Sequence, residues 1–133
     1  MKIPLLADVD VLVAGGASGG VAAALAARAA GASAFVLSPR SYLGVDIAAH
    51  YRFWLEEGEA LETELARALL EPREGAAPSP LHVKRELERR LRAANVPYLL
   101  NAPALDVLRD EDGRLAGVLV GTRSGPAAIR AKA

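Results

Sequence analysis

The most specific chemistry in this sequence sits in six consecutive residues, Gly15-Gly16-Ala17-Ser18-Gly19-Gly20. They follow the apolar run VLVA (residues 11–14) and open the alanine-rich stretch VAAALAARAAG (residues 21–31). The first amides of a helix have no intrahelical acceptor and carry a partial positive charge. A glycine-rich turn that feeds such a helix therefore suits a phosphate. In the pattern G-x-G-x-x-G, the first glycine makes the bend and the second lets backbone approach a pyrophosphate. The third lets helix and strand pack closely. Gly15 and Gly20 fill the first and third positions, and Ala17 fills the second. An alanine costs ~1 kcal/mol or more where the backbone needs a positive φ. The expectation is a turn that keeps its shape and binds a dinucleotide weakly.

Other chemistries are poorly represented. The chain has no cysteine, which removes disulfides, C-x-x-C redox pairs, thiolate nucleophiles and cysteine zinc sites. His50 and His82 lie in no cluster with metal-ligand spacing, so no metal is expected. No nucleophile–base pair or carboxylate dyad stands out. Tyr51 and Trp54 are expected in the core or in a lid. Lys plus Arg equals Asp plus Glu at 16 each, leaving no basic excess for a nucleic acid. The N-terminal MKIPLLADVDVLV is a poor signal peptide, and no run approaches the ~20 apolar residues of a membrane span. A cytoplasmic protein with no membrane partner fits these features.

The elements that must position the turn follow from periodicity. With 133 residues, 52% of them hydrophobic, the chain suits a single domain over residues 1–133. Val9, Val11 and Val13, with Leu12 between, read as one buried parallel strand. A helix is predicted from about Gly19 to Ala30, stopped by Gly31, and a second strand over Ala34 to Leu37. Together these make a right-handed βαβ unit. SYLGVDIAAHYRFWLEEG reads as a loop with one short helix. Glu59 to Leu70 reads as a helix with Leu61, Leu65, Ala68 and Leu69 on one face. EPREGAAPSP is a loop. The next helix has Ser79 as N-cap and Pro80 at its first position, with Val83, Leu87, Leu91 and Ala94 as its apolar stripe. Its opposite face carries Lys84, Arg85, Arg89, Arg90 and Arg92 beside Glu86 and Glu88, and is expected to be solvated. Pro97 to Leu100 is a third short strand. ALDVLRD, RLAGVLVGTR and PAAIRAK, joined by turns at EDG and SG, form a three-stranded antiparallel meander.

This order of parts resembles the N-terminal portion of FAD-dependent oxidoreductases of the two-dinucleotide-binding-domain type. The likeness is carried by the glycine turn, by Tyr42-Leu43-Gly44, and by Leu81-His82-Val83-Lys84-Arg85. Asp106 to Asp110 and Gly113 to Gly117 in the meander add to it. It implies a Rossmann-like three-layer α/β domain that binds the ADP part of FAD at Gly15–Gly20. It also implies that the loop through Leu43 and Gly44 wraps the pyrophosphate and ribityl chain, and that backbone of Ala104 meets the adenine. His82 would then lie near the cofactor. In such proteins the flavin carries the chemistry, and a separate domain supplies the substrate groups.

The family places a glutamate for the ribose where this chain has Ser38, and a second glycine where it has Val45. Losing the charge-assisted bond at Ser38 is worth on the order of 1–2 kcal/mol. A missing acid with Arg40 nearby also suits the 2′-phosphate of NADP. The reading is therefore the FAD-binding portion of an oxidoreductase, with a decayed non-catalytic nucleotide-binding module and an NADP-binding Rossmann domain as the alternatives. The family's returning strand is expected beyond Ala133, so the domain is expected to be incomplete at its C-terminus. The edge beside Val9–Ala14 would then be open to a second polypeptide or a C-terminal domain.

Overall fold

A computed structural model describes residues 2–72 and 77–133. Part of the loop expected at EPREGAAPSP, residues 73–76, lies outside the described residues. The strands are β1 (Leu5–Val9), β2 (Val11–Ala14), β3 (Ala34–Leu37), β4 (Tyr98–Leu99), β5 (Ala104–Arg109), β6 (Leu115–Thr122) and β7 (Gly125–Ala131). The helices are α1 (Ser18–Ala29), α2 (Val45–Ala48), α3 (Glu64–Leu70) and α4 (Pro80–Ala93).

The layers follow from alternation along β3, which is buried at all four positions. Ala34 and Val36 face the helices, where Val21 and Ala24 of α1 and Val83, Leu87 and Leu91 of α4 close one core. Phe35 and Leu37 face the other way, against Val120, Ala127 and Ile129 of the second sheet. Successive side chains of a strand point to opposite faces, so one buried strand serves two cores. Helices, the parallel sheet β2-β3-β4 and the second sheet make the three layers expected.

The second sheet differs from expectation. It has four strands in the order β1-β7-β6-β5, with β1 parallel to β7. The valine run read as one strand is two, broken at Asp10. The Asp10 carboxylate accepts from Ser33 N (2.8 Å), Ser33 Oγ (2.7 Å) and Lys132 Nζ (2.6 Å). These bonds, led by that from Lys132, hold its carboxyl well below the usual range. A single polar residue between valines looks like the outward position of one strand, which is why alternation concealed the break. The expected open edge is shorter than Val9–Ala14 but stands in part, since β2 is an edge strand of its own sheet. β1 is paired with β7, and Leu12 N donates to Ala133 O (2.8 Å), so pairing reaches along β2 as far as Leu12.

Two helices need correction. α3 begins at Glu64 rather than Glu59, because Thr63 caps it by accepting from Ala66 N (3.0 Å). Glu59 instead accepts from Arg52 Nη2 (2.9 Å) and Glu56 N (2.9 Å), which holds the preceding segment out of the helix. On α4, Ser79 caps as expected, but the charged face is not wholly solvated. The Glu86 side chain is only 7% exposed and is gripped by Arg89 Nη2 (2.6 Å) and Arg90 Nε (2.9 Å). Arg90 also reaches Glu64 on α3 (2.9 Å).

The Arg89 hydrogen bond, opposed by burial and helped by Arg90, lowers the Glu86 carboxyl from 4.5 to about 2. A carboxyl depressed on folding stabilises above its unfolded value, and that stabilisation is lost as pH falls through the folded one. Glu86→Gln is expected to cost about 1–2 kcal/mol at neutral pH. Urea unfolding of both chains should show this gap closing at about pH 2. An equal gap at both pH values would show that the charge contributes nothing.

Candidate dinucleotide site

The turn lies where β2 ends and α1 begins. Ala17 is the N-cap of α1 at φ −71° and ψ 167°, an extended conformation in which alanine is unstrained. The positive-φ cost considered for it does not arise, and only its methyl bears on an approaching ligand. The first intrahelical bond runs from Val21 N to Ala17 O (3.1 Å), leaving the amides of Ser18, Gly19 and Gly20 as the open donors of the helix start. A Cβ on Gly20 would lie 2.2 Å from Gly15 O, so this glycine sets the approach of α1 to β2. A Cβ on Gly16 would lie 2.6 Å from the Ser38 side chain. Gly15 and Gly19 face open space.

Gly16 brings the turn over the end of β3. There Ser38 is 1% exposed, and its Oγ accepts from Arg40 N (3.2 Å). The Ser38 backbone donates to Leu99 O (2.8 Å) and accepts from Ala102 N (2.9 Å). This last bond holds Ala102, two residues before β5 begins at Ala104, against the residue that follows β3. Arg40 is exposed. Ser38 thus stands beside the turn as a buried, hydrogen-bonded residue.

The Tyr42-Leu43-Gly44 loop closes the other side. Gly44 lies at φ 76° and donates to Gly16 O (2.7 Å), while Leu43 is fully buried. Lys84 Nζ sits 3.9 Å from the centroid of the Tyr42 ring, a cation–π contact that fastens α4 to the loop. One turn further, the chain places a residue that sequence reasoning missed. Asp46 Oδ1 accepts from Ser18 N (3.0 Å), and Asp46 Oδ2 accepts from Ser18 Oγ. A carboxylate thus occupies one of the open donors of α1. The available signal was an acid two residues after a glycine whose loop borders the glycine turn.

Beside this contact is a cleft of about 500 Å³, lined by Ser18, Asp46, Ile47, Arg52, Trp54 and Leu61, among others. Trp54 and Tyr51 are 55% and 67% exposed, so neither belongs to the core, and Trp54 forms part of the cleft wall. His82 braces α3, its Nε2 2.7 Å from Ala68 O. His50 is exposed. Among the described residues no group of His, Asp or Glu is arranged to hold a metal, and no helix is long and apolar enough to cross a membrane.

Parallel strands that end in a glycine turn at a helix N-terminus, backed by a meander sheet, define a Rossmann-like three-layer α/β domain. The chain belongs to the FAD-dependent oxidoreductase family, whose model matches residues 10–133. No curated protein matches it. Its fold is similar to that of THI4 from Thermovibrio ammonificans, with TM-score 0.69 and 17% identity over 94% of this chain and 55% of that one. It is also similar to a geranylgeranyl bacteriochlorophyll reductase-like protein from Thermoplasma acidophilum, with TM-score 0.63 and 19% identity over 94% and 38%. L-proline dehydrogenase from P. horikoshii gives TM-score 0.62 and 24% identity over 99% and 22%. The chain thus spans between about a fifth and just over half of these proteins.

Proposed function

We propose that this chain is the N-terminal cofactor-binding portion of an FAD-dependent oxidoreductase, holding the ADP part of the flavin at Gly15–Gly20. The observation that supports this reading is the close seating of α1 on β2 at Gly20, with the amides of Gly19 and Gly20 preceding the first intrahelical bond. These amides and the start of α1 would hold the pyrophosphate. Backbone at Gly44 and Ala104 would flank the pyrophosphate and the adenine. The ribose meets no acid, since Ser38 is buried and its Oγ is already bonded to Arg40 N. When bound, the flavin supplies the hydride and electron chemistry. The chain's own residues bind and orient it. The substrate groups are expected from a separate domain, and a second polypeptide in that role is the alternative.

The experiment is calorimetric titration of the chain with FAD, ADP and 2′,5′-ADP. FAD and ADP are expected to bind competitively and weakly, because Ser38 gives up an interaction worth about tenfold in affinity. Preference for 2′,5′-ADP, lost in Arg40→Ala, would transfer the site to NADP. Binding of none of the three would leave the non-catalytic module.

A further inference from the structure

We infer that Asp46 is a specificity-determining residue of the glycine turn: its carboxylate holds the anion position at the start of α1 and sets the price a phosphate must meet to enter. The inference rests on the dinucleotide reading above and adds a residue that the reading does not require. Asp46 accepts from both the backbone N–H (3.0 Å) and the hydroxyl of Ser18. Those are the groups that a phosphate oxygen would use at a helix N-terminus. The contact is not incidental to the sequence around Asp46. Gly44 N–H to Gly16 O (2.7 Å) fixes the loop to the turn, and α2 starts directly after Gly44, so Asp46 falls in the first turn of α2 and opposite Ser18.

Two consequences follow. A diphosphate approaching the turn must displace Asp46 from Ser18 or share the site with a like charge, and either lowers its affinity. A ligand part without phosphate meets no such opposition. Asp46 therefore compresses the preference for ADP over adenosine, and removing its charge should restore that preference. Because Asp46 is exposed and its side chain bonds only Ser18 among the described residues, substitution leaves the cores untouched.

The test compares wild type, Asp46→Asn and Glu62→Gln by calorimetry with ADP and with adenosine. Glu62 lines the same cleft but has no bond to α1, so it reports the effect of a nearby negative charge alone. Asp46→Asn is expected to tighten ADP about tenfold, equivalent to ~1.4 kcal/mol, and to leave adenosine unchanged. Glu62→Gln is expected to change ADP less than about threefold. The amide resonance of Ser18 should shift in Asp46→Asn, and shift again on adding ADP. ADP binding to wild type with no gain in Asp46→Asn, or an equal gain in Glu62→Gln, overturns the inference and leaves the dinucleotide reading standing. ADP binding to none of the three proteins removes the dinucleotide reading and the inference with it.

Discussion

Gly20→Ala is expected to destabilise the fold by about 2–3 kcal/mol and to weaken ADP binding by more than tenfold. The added Cβ would lie 2.2 Å from Gly15 O and 3.2 Å from both Gly15 C and Val13 Cγ1. Two of these are backbone atoms of the turn itself, so no side-chain rotation relieves the overlap. α1 must lift from β2 or the turn must open. Alanine's better helix propensity recovers only about 1 kcal/mol of that cost. Gly19→Ala is the matched control, since a Cβ at Gly19 meets nothing within 4 Å. It should gain up to about 1 kcal/mol from propensity alone. Urea unfolding of both variants decides the matter. Equal stability of the two would mean that close approach of helix and strand is not what Gly20 provides.

Gly44→Ala is expected to cost about 2–4 kcal/mol, from two additive sources. At φ 76° the backbone is in the left-handed region, which alanine enters only with strain. The new Cβ would also lie 2.6 Å from Leu87 Cδ1 and 2.8 Å from Val83 Cγ1, both on fully buried side chains of α4. The double variant with Leu87→Val separates the sources. If crowding against Leu87 contributes, the double change costs less than the sum of the single ones. Purely additive costs would assign the whole effect to the backbone conformation. The loss should also reach the turn, because Gly44 is the donor to Gly16 O.

The βαβ start, the helix after Ser79 and the meander were legible because each is written in local signals. Ser79-Pro80 marks a helix start, and the residues of α4 repeat at helical spacing above Val83, Leu87 and Leu91. EDG and SG mark turns that the structure places between β5, β6 and β7. The glycine turn was legible for the same reason, as strand, turn and helix are contiguous. What escaped depends on residues far apart in the chain. Asp10 breaks the valine run only because Ser33 and Lys132 meet it there. Asp46 reaches Ser18 across 28 positions, and no spacing within either segment announces it. Glu86 looks like one charge in a solvated face, and is buried because α3 packs beside it and Arg89 and Arg90 close over it. The early start predicted for α3 has a local cause. Leu61 extends the apolar spacing of Leu65, Ala68 and Leu69 towards the N-terminus, past Thr63, where the cap starts the helix.

The pairing of β1 with β7 joins the first strand of the chain to its last, with Leu5 opposite Ala128 and Val9 opposite Ala131. Contacts of such sequence separation require a long loop to close before they return any stability, which slows folding. During synthesis the helices and the parallel sheet have all their residues while β1 still lacks a partner. The apolar residues of that strand, Leu5, Leu6 and Val9, then wait beside a finished layer for residues 125–131 to emerge. The Asp10–Ser33–Lys132 cluster forms at the same late moment, since Lys132 follows β7 directly. Residues 125–131 therefore complete the pairing of β1 only after the segments that form the glycine turn and the parallel sheet have emerged. A chain interrupted within β7 would expose an unpaired strand edge, the surface from which aggregation starts.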